Sequence, residues 1–374
     1  MSYLSRIQIS GLRNLLSVSL EPSASINLLY GENGSGKTSF LEALSLLGRG
    51  RSFRSHKTRS LICHHEPTLT TFGEIEGLGI KCSVGLQKSR SGSTLIRVDG
   101  EAASSAAVLA QQLPLQILNA DSFQLIEGSP LQRRRFLDWM VFHVKPGFIE
   151  PWRRLQRVIK QRNSLLRRDK ISRSDLVPWD KELVDLSMAI HQMRLDVFDE
   201  FLTMSSHLVK DFSEQLASVE LHYLAGWDTE QVFEELIAET FDKDVRDGYT
   251  HLGPHRADLK FWVEGKPAAD VLSRGQEKSL IAALHIAQAK LYRDKTENPC
   301  VFLVDDLMAE LDDRNASRVA AWLNRLEGQV FVTGVSKEQL LAAWLKDENK
   351  DQQESEIKLF HVKQGDINPI NTTN

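Results

Sequence analysis

Eight consecutive residues, Gly31-Glu32-Asn33-Gly34-Ser35-Gly36-Lys37-Thr38, match the pattern G-x-x-x-x-G-K-[ST] at every specified position. Closely spaced glycines let successive backbone N–H groups turn inward around an anion, and a helix starting there adds its positive end. Lys37 would reach the β- and γ-phosphates, and Thr38 would offer a hydroxyl to Mg²⁺. Far along the chain, Val301-Phe302-Leu303-Val304-Asp305-Asp306 is an apolar run ending in two carboxylates, the form of segment that completes the metal side of such a site. An Asp pair after a strand can also do no more than cap the next helix. With the phosphate loop present, the implied chemistry is binding and hydrolysis of Mg²⁺–ATP. Lys37, Asp305 and Asp306 are the catalytic candidates, and Thr38 and Asp305 the metal ligands.

These residues need a strand, a tight loop and a helix in succession. The apolar run Ile26 to Tyr30 stops at Gly31, and Phe40, Leu41, Leu44 and Leu47 then follow at helical spacing, so strand feeds loop and loop feeds helix. Arg6 to Ile9 and Leu15 to Leu20 alternate as short strands. Between Leu69 and Val98, β-prone runs broken by glycines predict an antiparallel meander. From Leu131 to Arg246 the period turns helical, as in Leu183, Leu186, Ile190, Met193 and Val197. The short apolar runs Val301 to Val304 and Val330 to Val332 suit parallel strands buried on both faces.

Leu272-Ser273-Arg274-Gly275-Gln276 lies about 30 residues before the carboxylate strand and resembles the LSxGQ signature of the ABC superfamily. Ser273 lies just ahead of an Ala- and Leu-rich helix, where its hydroxyl and nearby N–H groups can face an anion. The resemblance implies that this anion is the γ-phosphate bound by a second protomer, which makes Ser273 a fourth catalytic candidate. Ser273, Arg274, Gly275 and Gln276, with Asp312 in the D-loop-like Ala309-Glu310-Leu311-Asp312, would then form a dimer interface. Asp306 stands where ATP-hydrolysing relatives usually carry Glu, which implies slow turnover. Thr333-Gly334-Val335-Ser336 occupies the place of the usual switch histidine.

Three more segments narrow the likeness: Gly11-Leu12-Arg13-Asn14, Gly48 to Arg54, and Glu127 to Asp138. With Thr250 to Asp258 they resemble the RecF family over roughly residues 1–340. The resemblance implies an α/β ABC-type ATPase head, like those of Rad50 and SMC proteins, with an antiparallel meander and an inserted helical arm. The expected division is 1–125 and 249–345 for the two halves of the head, 126–248 for the arm and 346–374 for a polar C-terminal strand or tail. ATP would close two heads into a dimer that holds single- and double-stranded DNA without sequence preference. RecO and RecR would be the partners in loading RecA at gaps.

The charge map bears on DNA separately. The formal net charge is only −4, yet Leu131 to Arg173 holds thirteen Lys or Arg against three Asp or Glu. Such a density would draw phosphates in a salt-sensitive way, although a solvated helix face reads the same. Arg133, Arg134, Arg135, Arg153 and Arg154, with Arg51 and Arg54 from the second basic stretch, are the candidate DNA contacts. No run of ~20 apolar residues occurs, so a cytoplasmic protein without a membrane partner is expected. The histidine pairs and the three cysteines, Cys63, Cys82 and Cys300, are assigned no metal. Two other readings stay open, the ATPase subunit of an ABC transporter and an ATP-binding scaffold with little turnover.

Overall fold

The computed structural model describes residues 2–55, 57–77, 80–168, 170–345 and 357–370. The chain divides into one unit built from Met1–Phe123 and Arg274–Asn374 and a second from Gln124–Ser273. Residues 249–273, expected in the head, therefore group with the arm. The physical reason is pairing: Asp258–Val263 lies antiparallel to Val219–Leu224, and Arg133 grips Asp258 at 2.6 Å.

In the first unit a six-stranded sheet runs in the order Asp366–Ile370, Ile357–Lys363, Ile26–Tyr30, Val330–Gly334, Val301–Val304, Leu115–Leu118. All neighbours are parallel except the first pair, a hairpin. The three innermost strands are buried almost throughout, as strands covered on both faces must be. The second sheet is antiparallel and includes Leu15–Leu20, Tyr3–Leu12, Thr68–Gly77, Ile80–Ser89 and Thr94–Val98. Between the sheets runs the helix Lys37–Arg49, whose Phe40, Leu44 and Leu47 share one core with Leu4, Ile7 and Ile9 of the antiparallel sheet and Leu29, Leu303 and Phe331 of the parallel one. The phosphate loop is thus hung from the most buried helix of the unit.

Two strands correct the sequence reading. Leu115–Leu118 is a further parallel strand, and the stretch expected as a polar strand or tail contributes the strand Ile357–Lys363, which joins the core sheet by pairing with Ile26–Tyr30 from Ile357↔Ile26 to His361↔Tyr30. Its Leu359, Phe360 and Val362 are buried; residues 346–356 lie outside the described ones.

The second unit is not wholly helical, because it holds the three strands Val219–Leu224, Asp258–Val263 and Lys266–Pro267. Its long helices are Pro130–Val144, Ile149–Leu166 and Arg173–Phe212. The first and third open on capping boxes, Ser129 with Gln132 and Ser172 with Asp175, which satisfy N–H groups that a helix start leaves bare. The third helix has 40 residues, so it extends about 60 Å. Three arginines act as internal struts. Arg162 is fully buried and donates to Asp180 at 2.7 Å, Asp244 at 2.5 Å and Thr250 at 2.9 Å. Arg194, 2% exposed, holds Asp138 and the carbonyl of Pro254. Arg133, 7% exposed, holds Asp258 through two N–H groups.

Each unit also holds a histidine that folding keeps neutral. His255 donates Nε2–H to the carbonyl of Thr250 at 3.1 Å, its Nδ1 is buried without a partner, and desolvation draws its pKa down to about 4. His285 bonds Gln116 at 3.1 Å, and desolvation lowers it to about 3. A histidine with a depressed folded pKa takes up its proton in the unfolded chain first, so stability falls as pH drops below about 6.5. Chemical denaturation of each variant between pH 7 and 4 should show His255→Gln and His285→Gln each flattening the acid slope, by about 1.4 kcal/mol per pH unit at most.

Candidate nucleotide site

The phosphate loop leaves the C-terminal end of the strand Ile26–Tyr30 and enters the helix Lys37–Arg49. Lys37 is 7% exposed and turns its ammonium onto the carbonyls of Gly31 at 2.7 Å and Glu32 at 2.9 Å. Its pKa is lowered by burial, against which the carboxylates of Asp306 and Asp305 act. The lysine and both acids therefore face one small volume. The Ser35 hydroxyl is buried there with no partner among the described residues, and an oxygen-rich ligand would satisfy it.

Asp305 is the centre of a junction of hydroxyls. Thr38 Oγ1 donates to Asp305 Oδ1 at 2.9 Å, and Thr333 Oγ1 donates to the same oxygen at 2.8 Å. Thr333 Oγ1 in turn accepts the backbone N–H of Asp306 at 2.9 Å. Burial pushes the Asp305 carboxyl above its ordinary range, while the two threonine hydroxyls and the charge of Arg54 pull it back. These bonds define what Thr333 does: it is fully buried and fixes the turn that aims Asp306. Asp306 itself sits at φ 52° and ψ 50°, a left-handed conformation unusual for a residue with a side chain.

Three segments distant in sequence hold the loop open. Asn14 Nδ2 donates to the carbonyl of Ser35 at 3.0 Å, and Ser39 Oγ donates back to Asn14 Oδ1 at 3.1 Å. Arg13 grips Glu42, which is wholly buried in the helix, at 2.6 and 3.0 Å. The Ser52 hydroxyl donates to the same carboxylate, and its oxygen accepts the N–H groups of Arg54 and Ser55. The third support is the C-terminal hairpin: Gly365 N donates to the carbonyl of Ser35 at 2.7 Å. A Cβ at Gly31 would collide with the carbonyl of Val362, and one at Gly365, where φ is +93°, with that of Asn14. Arg13, Asn14 and Ser52 lie in segments that carry the family likeness, whereas no motif singles out Glu42 or the turn at Gly365. The sole signal was the clustering of polar residues beside a glycine loop.

The remaining expected residues fall as follows. Ser273, Arg274 and Gly275 are exposed, and the helix Arg274–Thr296 begins directly after Ser273. Gln276 is half-buried. Lys278, one turn in, pairs with Glu310 at 2.8 Å, which ends the short helix Leu307–Glu310 after Asp306. Asp312 is exposed and caps the helix Asp313–Arg325 by accepting Asn315 N–H at 2.8 Å. Among the candidate DNA contacts, Arg133 is corrected: its guanidinium is buried against Asp258, which leaves it no face for phosphate. Arg134 donates to the carbonyl of Ala257 at 2.8 Å, and Arg154 pairs with Glu182 at 2.7 Å. Arg51, Arg54, Arg135 and Arg153 are exposed, and the charge of Arg54 is felt at Asp305.

Thr38 and Asp305 present two hard oxygen donors 2.9 Å apart, which fits a Mg²⁺ ion completed by phosphate and water. Buried lysine, glycine-rich backbone and paired carboxylates together define a P-loop NTPase head.

Known proteins share this arrangement. Residues 3–359 match the family "RecF/RecN/SMC N terminal domain". The DNA replication and repair protein RecF of Cellvibrio japonicus is 45% identical over 97% of this chain and 98% of its own, and that of Teredinibacter turnerae 46% over 98% and 96%. Among solved structures, the recombination mediator protein RecF with ATP superposes with a TM-score of 0.84 at 24% identity, over 99% of both chains. An SMC head domain from Pyrococcus furiosus gives 0.58 over 99% of this chain and 96% of that one, at 15% identity. The chain belongs to the RecF family. The transporter-subunit reading is thereby set aside, and among the described residues no helix is long and apolar enough to cross a membrane.

Replacing Thr333 with Val keeps its shape but removes both hydrogen bonds of the junction, whereas Ser keeps them. Thr333→Val should slow ATP hydrolysis about tenfold or more, as loss of bonds worth ~1–3 kcal/mol implies, and Thr333→Ser should restore most of it. Equal single-turnover rates for the two variants would show that the hydroxyl does not aim Asp306.

Proposed function

We propose that this protein is an ATP-driven switch on DNA, in which two copies close over two nucleotides, hold DNA while closed and release it after hydrolysis. The observation that carries this reading is the convergence of Lys37, Thr38, Asp305 and Asp306 in one unit, together with a signature serine left exposed at a helix start. Lys37 holds the β- and γ-phosphates, and the loop's N–H groups hold the remaining phosphate oxygens. Thr38 and Asp305 hold Mg²⁺, which when bound neutralises charge on those oxygens. Asp306 orients the attacking water and accepts its proton. Its short side chain, set by a left-handed backbone, favours slow turnover. Ser273 of a second copy caps the γ-phosphate, so loss of that phosphate loosens the pair.

The RecF names of the relatives support placing this switch in DNA replication and recombinational repair. Single- and double-stranded DNA at gaps are the proposed substrates, RecO and RecR the partners, and the cytoplasm the compartment. DNA is expected to stimulate the ATPase. A scaffold with little turnover shares the same dimer and differs only in lacking that stimulation.

Analytical ultracentrifugation with and without ATP is the direct test. Wild type should dimerise only with ATP, while Lys37→Met and Ser273→Arg should stay monomeric. A wild type that binds ATP yet remains monomeric with DNA present would overturn the composite site. Asp306→Asn should bind ATP, hydrolyse it at least tenfold more slowly and prolong the dimer, read by phosphate release and by dimer lifetime.

A further inference from the structure

Three exposed cations of the helical unit lie on one side of the helix Ile149–Leu166. Arg153, Arg157 and Lys160 are spaced at i, i+4 and i+7 and are all exposed, so they form a stripe along one face. Beside the stripe, between this helix and Arg173–Phe212, lies a cavity of about 420 Å³ lined by Arg157, Val158, Lys160 and Trp179. Trp179 is half-buried, and Val158 is 2% exposed. Glu182, the carboxylate in the wall, is held by Arg154 at 2.7 Å. Arg157 and Lys160 add two exposed cations to the same wall.

We infer that this cavity receives an unpaired base of single-stranded DNA, stacked on the Trp179 indole, with the flanking phosphates on Arg157 and Lys160. An aromatic platform beside a cationic track is the general chemistry of single-strand binding, because every base has a π-face and every linkage a charge. A duplex keeps its bases paired and offers nothing to stack on Trp179. A cation stripe that continues beyond the cavity suits an extended polyanion better than one acidic side chain. The inference deepens the proposed action on DNA and rests on it. It assigns single strand to the helical unit and leaves duplex to other surfaces.

The test uses the full chain with ATP and measures, by fluorescence anisotropy, the binding of a labelled oligothymidylate and of a labelled duplex at fixed salt. Trp179→Ala should weaken the single strand about tenfold and leave the duplex unchanged, and Trp179→Phe should restore most of the loss. Arg157→Glu with Lys160→Glu, both at exposed positions, should weaken the single strand further and flatten its salt dependence. If wild type binds the oligothymidylate and all these variants bind it equally well, the inference is wrong while the DNA reading stands. Displacement of the effect to a poly-glutamate peptide, bound by wild type and lost in Trp179→Ala while oligothymidylate binding is unchanged, overturns it in favour of a protein ligand. If wild type binds neither nucleic acid, the DNA reading fails and the inference falls with it.

Discussion

A loop that binds phosphate with its backbone must be kept from folding onto its own carbonyls, and most of the first unit serves that requirement. Within the loop the Ser35 N–H turns onto the Glu32 carbonyl, and the other N–H groups stay available to an anion while the outer carbonyls have partners elsewhere. Ser35 O receives Asn14 from one side and Gly365 from the other. Beneath the loop, the carboxylate of Glu42 is shut off from water and depends on Arg13 and Ser52. Removing one partner of a buried ion pair costs about 3–5 kcal/mol, because the remaining charge stays desolvated. The pair therefore locks the hairpin turn, the nucleotide helix and the basic loop after it into one geometry.

The helical unit uses charge differently. The local excess of cations between Leu131 and Arg173 is a property of the window, since the anions that answer it lie beyond: Asp180, Glu182, Asp196, Asp244 and Asp258. Arg133 and Arg162 are internal struts, and Lys145 and Arg154 are engaged at the surface. What remains for phosphate is fewer cations than the count implied, Arg135, Arg157 and Lys160 among the exposed ones. A charge run in sequence bounds the attraction available to a polyanion, while pairing across the fold decides where that attraction emerges.

The same contrast between local and distant information explains which parts of the fold were legible. The phosphate loop, the carboxylate strand and the signature are contiguous, and each carries its chemistry within a few residues. The antiparallel meander and the long helices announce themselves by period. Leu115–Leu118 has four residues and no alternation, so it resembles any short apolar run. Ile357–Lys363 alternates apolar and polar within a polar stretch and becomes a strand because Ile26–Tyr30 offers it an edge. Val219–Leu224, surrounded by helical sequence, is a strand because Asp258–Val263 pairs with it. Thr333 could be named as standing in the switch position, yet its bonds to Asp305 and Asp306 depend on two parallel strands meeting side by side.

These bonds also join the paired carboxylates to the helix that follows the signature segment. Thr333 holds the N–H of Asp306, and the left-handed turn at Asp306 starts a single helical turn that ends at Glu310. Glu310 pairs with Lys278, five residues after Ser273 and on the helix that Ser273 precedes. Thr333 and the helix that Ser273 precedes are therefore joined by one hydrogen bond, one helical turn and one ion pair. A shift of Asp306 when the γ-phosphate departs has few soft elements in which to dissipate before it reaches the signature helix. Lys278 also sits 5.9 Å from the Phe123 ring centroid, which confines the ammonium further. The path is short because the helical turn that begins at Asp306 ends on the residue that holds Lys278, so a displacement of that turn passes directly to the helix Arg274–Thr296.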